Sequence, residues 1–386
     1  MKTSVFTCIA ACALGALSLL PPRASAASAS PVKIGAIFSV TGPASFLGAP
    51  EEKTARMLVD QINAKGGVNG QKLELIVKDS GGSAEKAVSF AKQLIEEDNV
   101  LAIIGPSTSG ETMQIKALCE ENKMILVSAA AAETIVNPVA KFVFKTPQKD
   151  SQAATWIYRT MKDKGISKIA VLTGNDGFGK GGKAQLESLA PEHGITIVAN
   201  EVYDVKATDF SDIVAKVKAA NPQAVVNWTV APAQSIVPKN MKQLGLNVPI
   251  FHSHGFGNLK YVEQAGAAAE GILFPAGRLL VADTLPADHP QKQVLTSYKK
   301  DYETLYKEDV STFGGHAYDA LMIVVEGLKR AGSADREKVR DAIENLKGFV
   351  GTAGVFNFSP TDHTGLELDA FEMLTVKDGK FAIYKK

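Results

Sequence analysis

Disulfides are the first thing this sequence does without. It holds three cysteines, and two of them, Cys8 and Cys12, lie in a segment that reads as a removable leader. Cys119 is then left alone, and no internal bridge can form. It falls in an apolar helical pattern, where a lone thiol serves as a small packed hydrophobe rather than a reactive group. Past residue 26 no apolar run approaches about 18 residues, which argues against a membrane-spanning helix in the body of the chain. An excess of either charge is also missing, with 42 basic residues against 41 acidic. The leader carries Lys2 and Arg23 and no acid, so the balance without it is 40 to 41. Near-neutrality of this kind gives no electrostatic case for nucleic acid or anionic lipid as a partner. There is no G-x-S-x-G elbow and no Ser, His and Asp set at a diagnostic spacing. The expectation is a chain that is not an enzyme and needs no cofactor.

What is present begins at the N-terminus. Lys2 is followed by an uncharged apolar stretch from Val5 to Leu20, then by Pro21, Pro22 and the small-residue run Arg23 to Ala27. The pattern predicts a secretory signal peptide over residues 1–26, cut after Ala26, and hence a periplasmic location. The prolines close the run after roughly 16 residues, short of the roughly 20 that a spanning helix needs. Ile9-Ala10-Ala11-Cys12 resembles a lipobox, but the apolar run continues beyond Cys12, which disfavours a lipoprotein. The remaining length suits two hydrophobic cores better than one.

Strands and helices alternate along the rest. Val32–Phe38 is a short apolar run closed by Thr41-Gly42-Pro43, and Glu52–Lys65 carries Ala55, Leu58, Val59 and Ile62 at helical spacing. The same grammar gives strands at 73–78, 100–104 and 124–128 with helices at 83–97 and 110–122 between them. It restarts after Pro147, with strands at 168–172, 196–203, 224–228 and 250–252 and helices at 150–164, 180–193, 210–220 and 234–244. Such alternation means parallel sheets covered by helices on both faces, here in two similar α/β halves. Helices at 291–306, 315–330 and 336–345 are expected to pack back onto the first half, and the last strands, 367–376 and 380–384, to be shared between the halves. Ligands of open parallel sheets bind beyond the carboxyl ends of the strands, so two facing ends make a cleft.

Two motifs invite stronger readings than they support. Gly174 to Gly181 nearly fits a phosphate loop, but Gly181 stands where the magnesium-holding hydroxyl belongs. A tight strand-to-helix turn on the cleft rim accounts for it. His252-x-His254 on a strand end would put two imidazoles on one face at a zinc-like spacing, but no third ligand lies at a motif distance, so no metal is expected. The strand-end loops Gly105 to Ser109 and Ser128 to Ala132 are richer, since hydroxyls and unpaired amides at a helix start suit an anion. Ser109 could equally serve as an ordinary N-cap there.

Ile34-Gly35-Ala36, Thr41-Gly42-Pro43, Ile62 to Gly70, Ile104-Gly105-Pro106, Gly245 to Ile250 and Tyr318-Asp319-Ala320 together resemble the leucine/isoleucine/valine-binding protein family. That resemblance implies a type I periplasmic-binding-protein fold: two Rossmann-like parallel-sheet lobes joined by three crossovers near Lys149, Gly277 and Phe358. The lobes would be residues 27–149 with 278–358 and residues 150–277 with 359–386. It also implies a solute-binding role beside an ABC permease in the inner membrane, with sensing for a membrane receptor as the other use of the fold. The resemblance further assigns the ligand carboxylate to Ser109 and the Ala130, Ala131 and Ala132 backbone, and an apolar cover to Phe178. Of the family's acceptors for a ligand ammonium, the threonine position is Ala132 and the acid position is His254. Missing acceptors argue for a carboxylate without an amino group, in an apolar lining drawn from Phe46, Trp228, Phe256 and Phe313. Ser107 completes the candidate set. Two α/β halves without a long apolar surface repeat imply a monomer.

Overall fold

The structure, a computed structural model, describes residues 1–5 and 30–385, so the expected leader and its two cysteines lie almost wholly outside the described residues. Among the described residues no helix is long and apolar enough to cross a membrane. The first run of elements is β1 Val32–Phe38, α1 Ser45–Ala64, β2 Leu73–Asp79, α2 Ala84–Glu96, β3 Ala102–Ile104, α3 Ser109–Glu121, β4 Ile125–Ser128 and β5 Val143–Lys145. The second run is α4 Asp150–Asp163, β6 Lys168–Gly174, α5 Gly177–Leu189, β7 Thr196–Tyr203, α6 Ser211–Ala219, β8 Ala224–Trp228, α7 Ala233–Gln243, β9 Ile250–His252, α8 Leu259–Ala265 and β10 Leu273–Ala276. Three helices follow, α9 Lys292–Tyr306, α10 Thr312–Ala331 and α11 Arg336–Glu344, then the short pair β11 Phe349–Val350 and β12 Val355–Phe356, and finally β13 Glu372–Lys377 and β14 Lys380–Ile383.

Two large sheets result. The first has five parallel strands in the order β2-β1-β3-β4-β5, and the second has seven in the order β14-β13-β10-β9-β8-β6-β7. The central strands are apolar almost throughout because helices cover both of their faces. On the first sheet, one face packs Ala36, Ile104 and Val127 with Ala317, Leu321 and Val324 of α10. The other packs Ile37, Ile103 and Leu126 under Ala91 and Leu94 of α2 and Ile115 of α3. Cys119 is fully buried in that second layer, where burial pushes its thiol up to about 12. It is a packing residue, as its apolar setting implies.

The end of the chain departs from expectation in two respects. The boundary placed near Phe358 falls inside the first core, since Phe358, Leu366 and Ala370 all pack there and the chain joins the second sheet only at Glu372. The last strands are not shared between the halves either. Both lie on the second sheet, where β13 pairs antiparallel with β10 and β14 in turn with β13. A short hairpin joins two strands only as antiparallel neighbours, so these two form a mixed edge on an otherwise parallel sheet. The strands β5 and β10, three and four residues long, have no separate signal in the sequence because both are too short to show a period.

The helix α1 begins seven residues before the expected start and runs through Pro50. Proline lacks the N–H that would bond back to the Phe46 carbonyl. That oxygen instead accepts from Asn258 Nδ2 of the second half at 3.0 Å. Close by, the Phe46 ring meets Tyr261 edge-on at 5.1 Å, and the Thr312 amide donates to the Gly257 carbonyl at 2.9 Å. These contacts hold the two sets of strand ends face to face around a cleft.

Candidate functional site

The cleft holds a small cavity of about 30 Å³, lined from the first sheet's side by Leu47, Ser107, Thr108, Ser109, Ala129, Ala130, Ala131, Pro147, Phe313 and His316, and from the second by Phe178, Val230, His254 and Gly255. That is far below the volume of an occupied ligand site, so a ligand enters only with the lobes further apart than they stand here. Its shape follows from the strand-to-helix turns after β3, β4, β6 and β9, which deliver short loops to one place.

Ser109 stands in the first turn of α3, and the cap is its neighbour: the Thr108 hydroxyl accepts from the Glu111 amide at 3.3 Å. The N-cap reading of Ser109 is thereby corrected. Ser109 Oγ accepts from the Ala132 amide at 3.1 Å, which aligns the hydroxyl and leaves its proton for the cavity. The Ala130 amide is committed to Ser128 Oγ at 3.1 Å. Of the three loop amides expected to face a carboxylate, two are therefore occupied, and Ala132 itself does not line the cavity. Anion donors are left in the Ser109 hydroxyl, the Ala131 amide and the unpaired first-turn amides of α3.

Lys145 is an addition that the sequence reading missed. Its ammonium is fully buried and donates to the carbonyls of Ala131, Pro147 and Gln148 at 2.9, 2.8 and 3.0 Å. Three acceptors suit the three protons of the charged form, while burial pushes its pKa down to about 8 against the pull of Asp150 and Glu133. Asp150, pushed up by burial to about 7 and drawn back by Lys145, is its counter-charge. The available signal was a lysine inside an otherwise apolar run, Phe142 to Thr146.

His254 is buried against Phe178, Trp228 and Phe371, with ring centroids 5.4, 5.5 and 5.7 Å away. Burial first, then the charge of Lys145 and the neighbouring His316, holds its pKa well below the ordinary 6.5, so the imidazole is neutral. Both ring nitrogens lack a partner, and so does Asp150 Oδ1, which lies 3.7 Å from Nε2, beyond hydrogen-bond reach. His316 is likewise buried, lowered to about 3, with Nδ1 unpartnered. It escaped notice because α10 was expected to start at Gly315; in a helix that starts at Thr312, Phe313 and His316 fall on one face at a spacing of three.

The remaining candidates divide. Ser107, Phe178 and Phe313 line the cavity. The Ser107 hydroxyl, however, is in close contact with the buried Glu51 carboxyl, and it accepts from the Ser39 amide at 2.9 Å. Phe46 does not line the cavity; a helix turns about 100° per residue, so Leu47 faces inward while Phe46 packs on Tyr261. Trp228 sits behind Phe178 at 5.7 Å, its indole N–H unpartnered, and Phe256 stacks in the second core. The pair His252 and His254 does not share a face. The strand ends at His252, whose ring stacks on Phe256 and contacts Gln234, whereas His254 opens the next turn toward the cavity. Among the described residues no group of three or more His, Cys, Asp or Glu side chains is arranged to hold a metal.

The glycine run 174–182 is explained by close packing. A β-carbon at Gly179 would collide with the Gly174 carbonyl, and one at Gly182 with the Trp228 indole.

Comparison with known proteins agrees with this architecture. A leucine-, isoleucine-, valine-, threonine- and alanine-binding protein of Pseudomonas aeruginosa is 27% identical over 93% of this chain and 90% of its own length. An extracellular ligand-binding receptor from Rhodopseudomonas palustris HaA2 superposes with a TM-score of 0.87 at 25% identity, over 92% of this chain and 99% of its own. The LivJ substrate-binding protein of a Streptococcus pneumoniae branched-chain amino acid transporter, solved with isoleucine, gives 0.80 at 26% identity, over 91% and 97%. An ABC-transporter solute-binding protein of R. palustris BisB5, solved with 3,4-dihydroxybenzoic acid, gives 0.79 at 20% identity, over 91% and 95%, and shares the fold. The periplasmic binding protein family model matches residues 31–380, so the chain belongs to that family of extracytoplasmic, non-enzymatic solute-binding components of ABC-type transporters.

Proposed function

We propose that the cleft captures a small carboxylic acid that lacks an α-amino group and has an aromatic or branched apolar body, for delivery to an ABC permease by a monomeric protein. One observation carries this reading: among the described residues no carboxylate side chain lines the cavity, and the two positions that the family resemblance assigns to an ammonium hold Ala132, which does not reach the cavity, and a neutral His254. A charged ammonium placed there without acceptors would lose several kcal/mol of solvation. A carboxylate, in contrast, meets the Ser109 hydroxyl and the first-turn amides of α3, with the Lys145 charge behind them. Phe178, Phe313, Leu47 and Val230 supply apolar cover.

A second reading, an amino acid ligand, is favoured by the name of the P. aeruginosa relative and by the unpartnered Asp150 Oδ1 behind His254. It requires water to relay the ammonium to that oxygen. Calorimetry separates the two. Benzoate-like and branched keto acids are expected to bind more tightly than leucine or valine, and the combined Ala132→Thr and His254→Glu variant is expected to shift preference toward leucine. Micromolar binding of leucine or valine by the unaltered protein, with no response to the acids, overturns the proposal.

A further inference from the structure

We infer that His316 and His254, one from each side of the cleft, together read a hydroxyl on the ligand at the end away from its carboxylate, so that the site selects hydroxy-substituted carboxylic acids. The inference rests on the carboxylate reading above and adds a specificity-determining residue, His316, together with the group it recognises.

The two imidazoles enter the same cavity from opposite directions, His254 from the turn after β9 and His316 from the first turns of α10. Three of their nitrogens are buried without any partner: both on His254 and Nδ1 on His316. Buried polar atoms are ordinarily paired, so three open nitrogens around one cavity indicate that their partner arrives with the ligand. Among the described residues, the nearest charged groups are not hydrogen-bonded to these nitrogens. Asp150 Oδ1 lies 3.7 Å from His254 Nε2, and the Lys145 ammonium is committed to three carbonyls.

The state of the rings fixes the chemistry of that partner. Burial and the Lys145 charge keep both imidazoles neutral, and a neutral imidazole offers one N–H and one lone pair. A hydroxyl matches such a pair, because it donates and accepts at a single oxygen. An ammonium only donates, and a second carboxylate only accepts while lying near Asp150. A methyl group leaves the nitrogens unpaired. Because the histidines sit on different lobes, a hydroxyl between them is bonded on both sides only when the cleft is closed, which ties recognition to closure.

The test is calorimetry with 4-hydroxybenzoate, 3-hydroxybenzoate, benzoate and 4-methylbenzoate, the last as a size match for the hydroxyl. At least one hydroxylated acid is expected to bind roughly tenfold or more tightly than both benzoate and 4-methylbenzoate. His316→Leu is expected to bring that ratio to within about twofold of one, and His316→Gln to restore part of it. Imidazole nitrogen chemical shifts of the unaltered protein give a second readout that needs no variant. Two sets of histidine resonances are expected to move with the hydroxylated acid and not with its methyl counterpart. Equal binding of hydroxylated and methylated acids, or an unchanged ratio in His316→Leu, overturns this inference and leaves the carboxylate reading standing. Binding of leucine with no response to any of the four acids overturns both.

Discussion

At the scale of single residues, the cleft keeps an anion-binding hydroxyl free by assigning other duties to its neighbours. Thr108 caps α3 and the Ala132 amide orients Ser109 Oγ. Ser109→Ala is therefore expected to weaken carboxylate binding by about 1.5 to 3 kcal/mol, the worth of a hydrogen bond to a charged group. It also strips the Ala132 amide of its acceptor, so a loss of about 1 kcal/mol in folding stability should accompany it. Calorimetry and denaturant melts measure the two separately, and wild-type affinity in the variant would remove Ser109 from the site. Beneath Ser107 lies Glu51, fully buried, whose carboxyl burial drives from 4.5 up to about 8, with the Ser107 hydroxyl pulling it down and Glu111 pushing it up. Between those values the folded chain holds a proton that the unfolded chain has released. Stability must then fall as pH rises through that window, by at most about 1.4 kcal/mol per unit. Glu51→Gln has no such proton to exchange. Its stability relative to the parent is expected to climb between roughly pH 5 and pH 8 and to level off above, as followed by denaturant melts across that range. A gap that is constant with pH would show that Glu51 titrates normally.

Among the elements, the sequence makes visible what has a period or a terminator and hides what has neither. The strands β1, β7, β8 and β9 are readable to the residue because turn residues bound each of them, although β7 carries Asn200 and Glu201 in its middle and β9 is only three residues long. The helix α1 is readable only from Glu52 onward, since Pro50 looks like a stop, although α1 runs through it. That single misplacement hides Leu47, just as the late start assigned to α10 hides His316. The carboxylate end of the cleft is legible through Ser109 because hydroxyls beside a helix start form a local pattern. The other end draws on His254 and His316, residues far apart in sequence that only the fold brings together, as it does Lys145 behind the carboxylate end. The glycines of the α5 turn mislead for a related reason: the pattern records that side chains are excluded, but not whether a phosphate or an indole excludes them.

For the whole molecule, function depends on how nearly the lobes can approach. Gly257 and Thr312 face each other across the cleft, and a β-carbon on Gly257 would overlap the Thr312 side chain. Its backbone, with φ of −73°, accepts any residue, so a larger side chain acts as a wedge between lobes and not as a strain on the turn. Gly257→Val is expected to add about 1 to 3 kcal/mol to the closed form. Small-angle scattering at saturating ligand should then give a larger radius of gyration than the parent reaches, with weaker affinity. Parental contraction and affinity would mean that these two residues do not meet at closure. Pro50 acts in the opposite sense. A helix normally keeps its carbonyls to itself, but this proline leaves the Phe46 oxygen unclaimed, and Asn258 takes it from the facing lobe. In an open form that oxygen passes to water. Residue 50 therefore enters the free-energy difference between open and closed without touching any ligand. Whatever it contributes multiplies the affinity for every ligand that requires closure by one common factor and leaves the ranking among them unchanged, so the strength of capture and the choice of what is captured are set by separate residues.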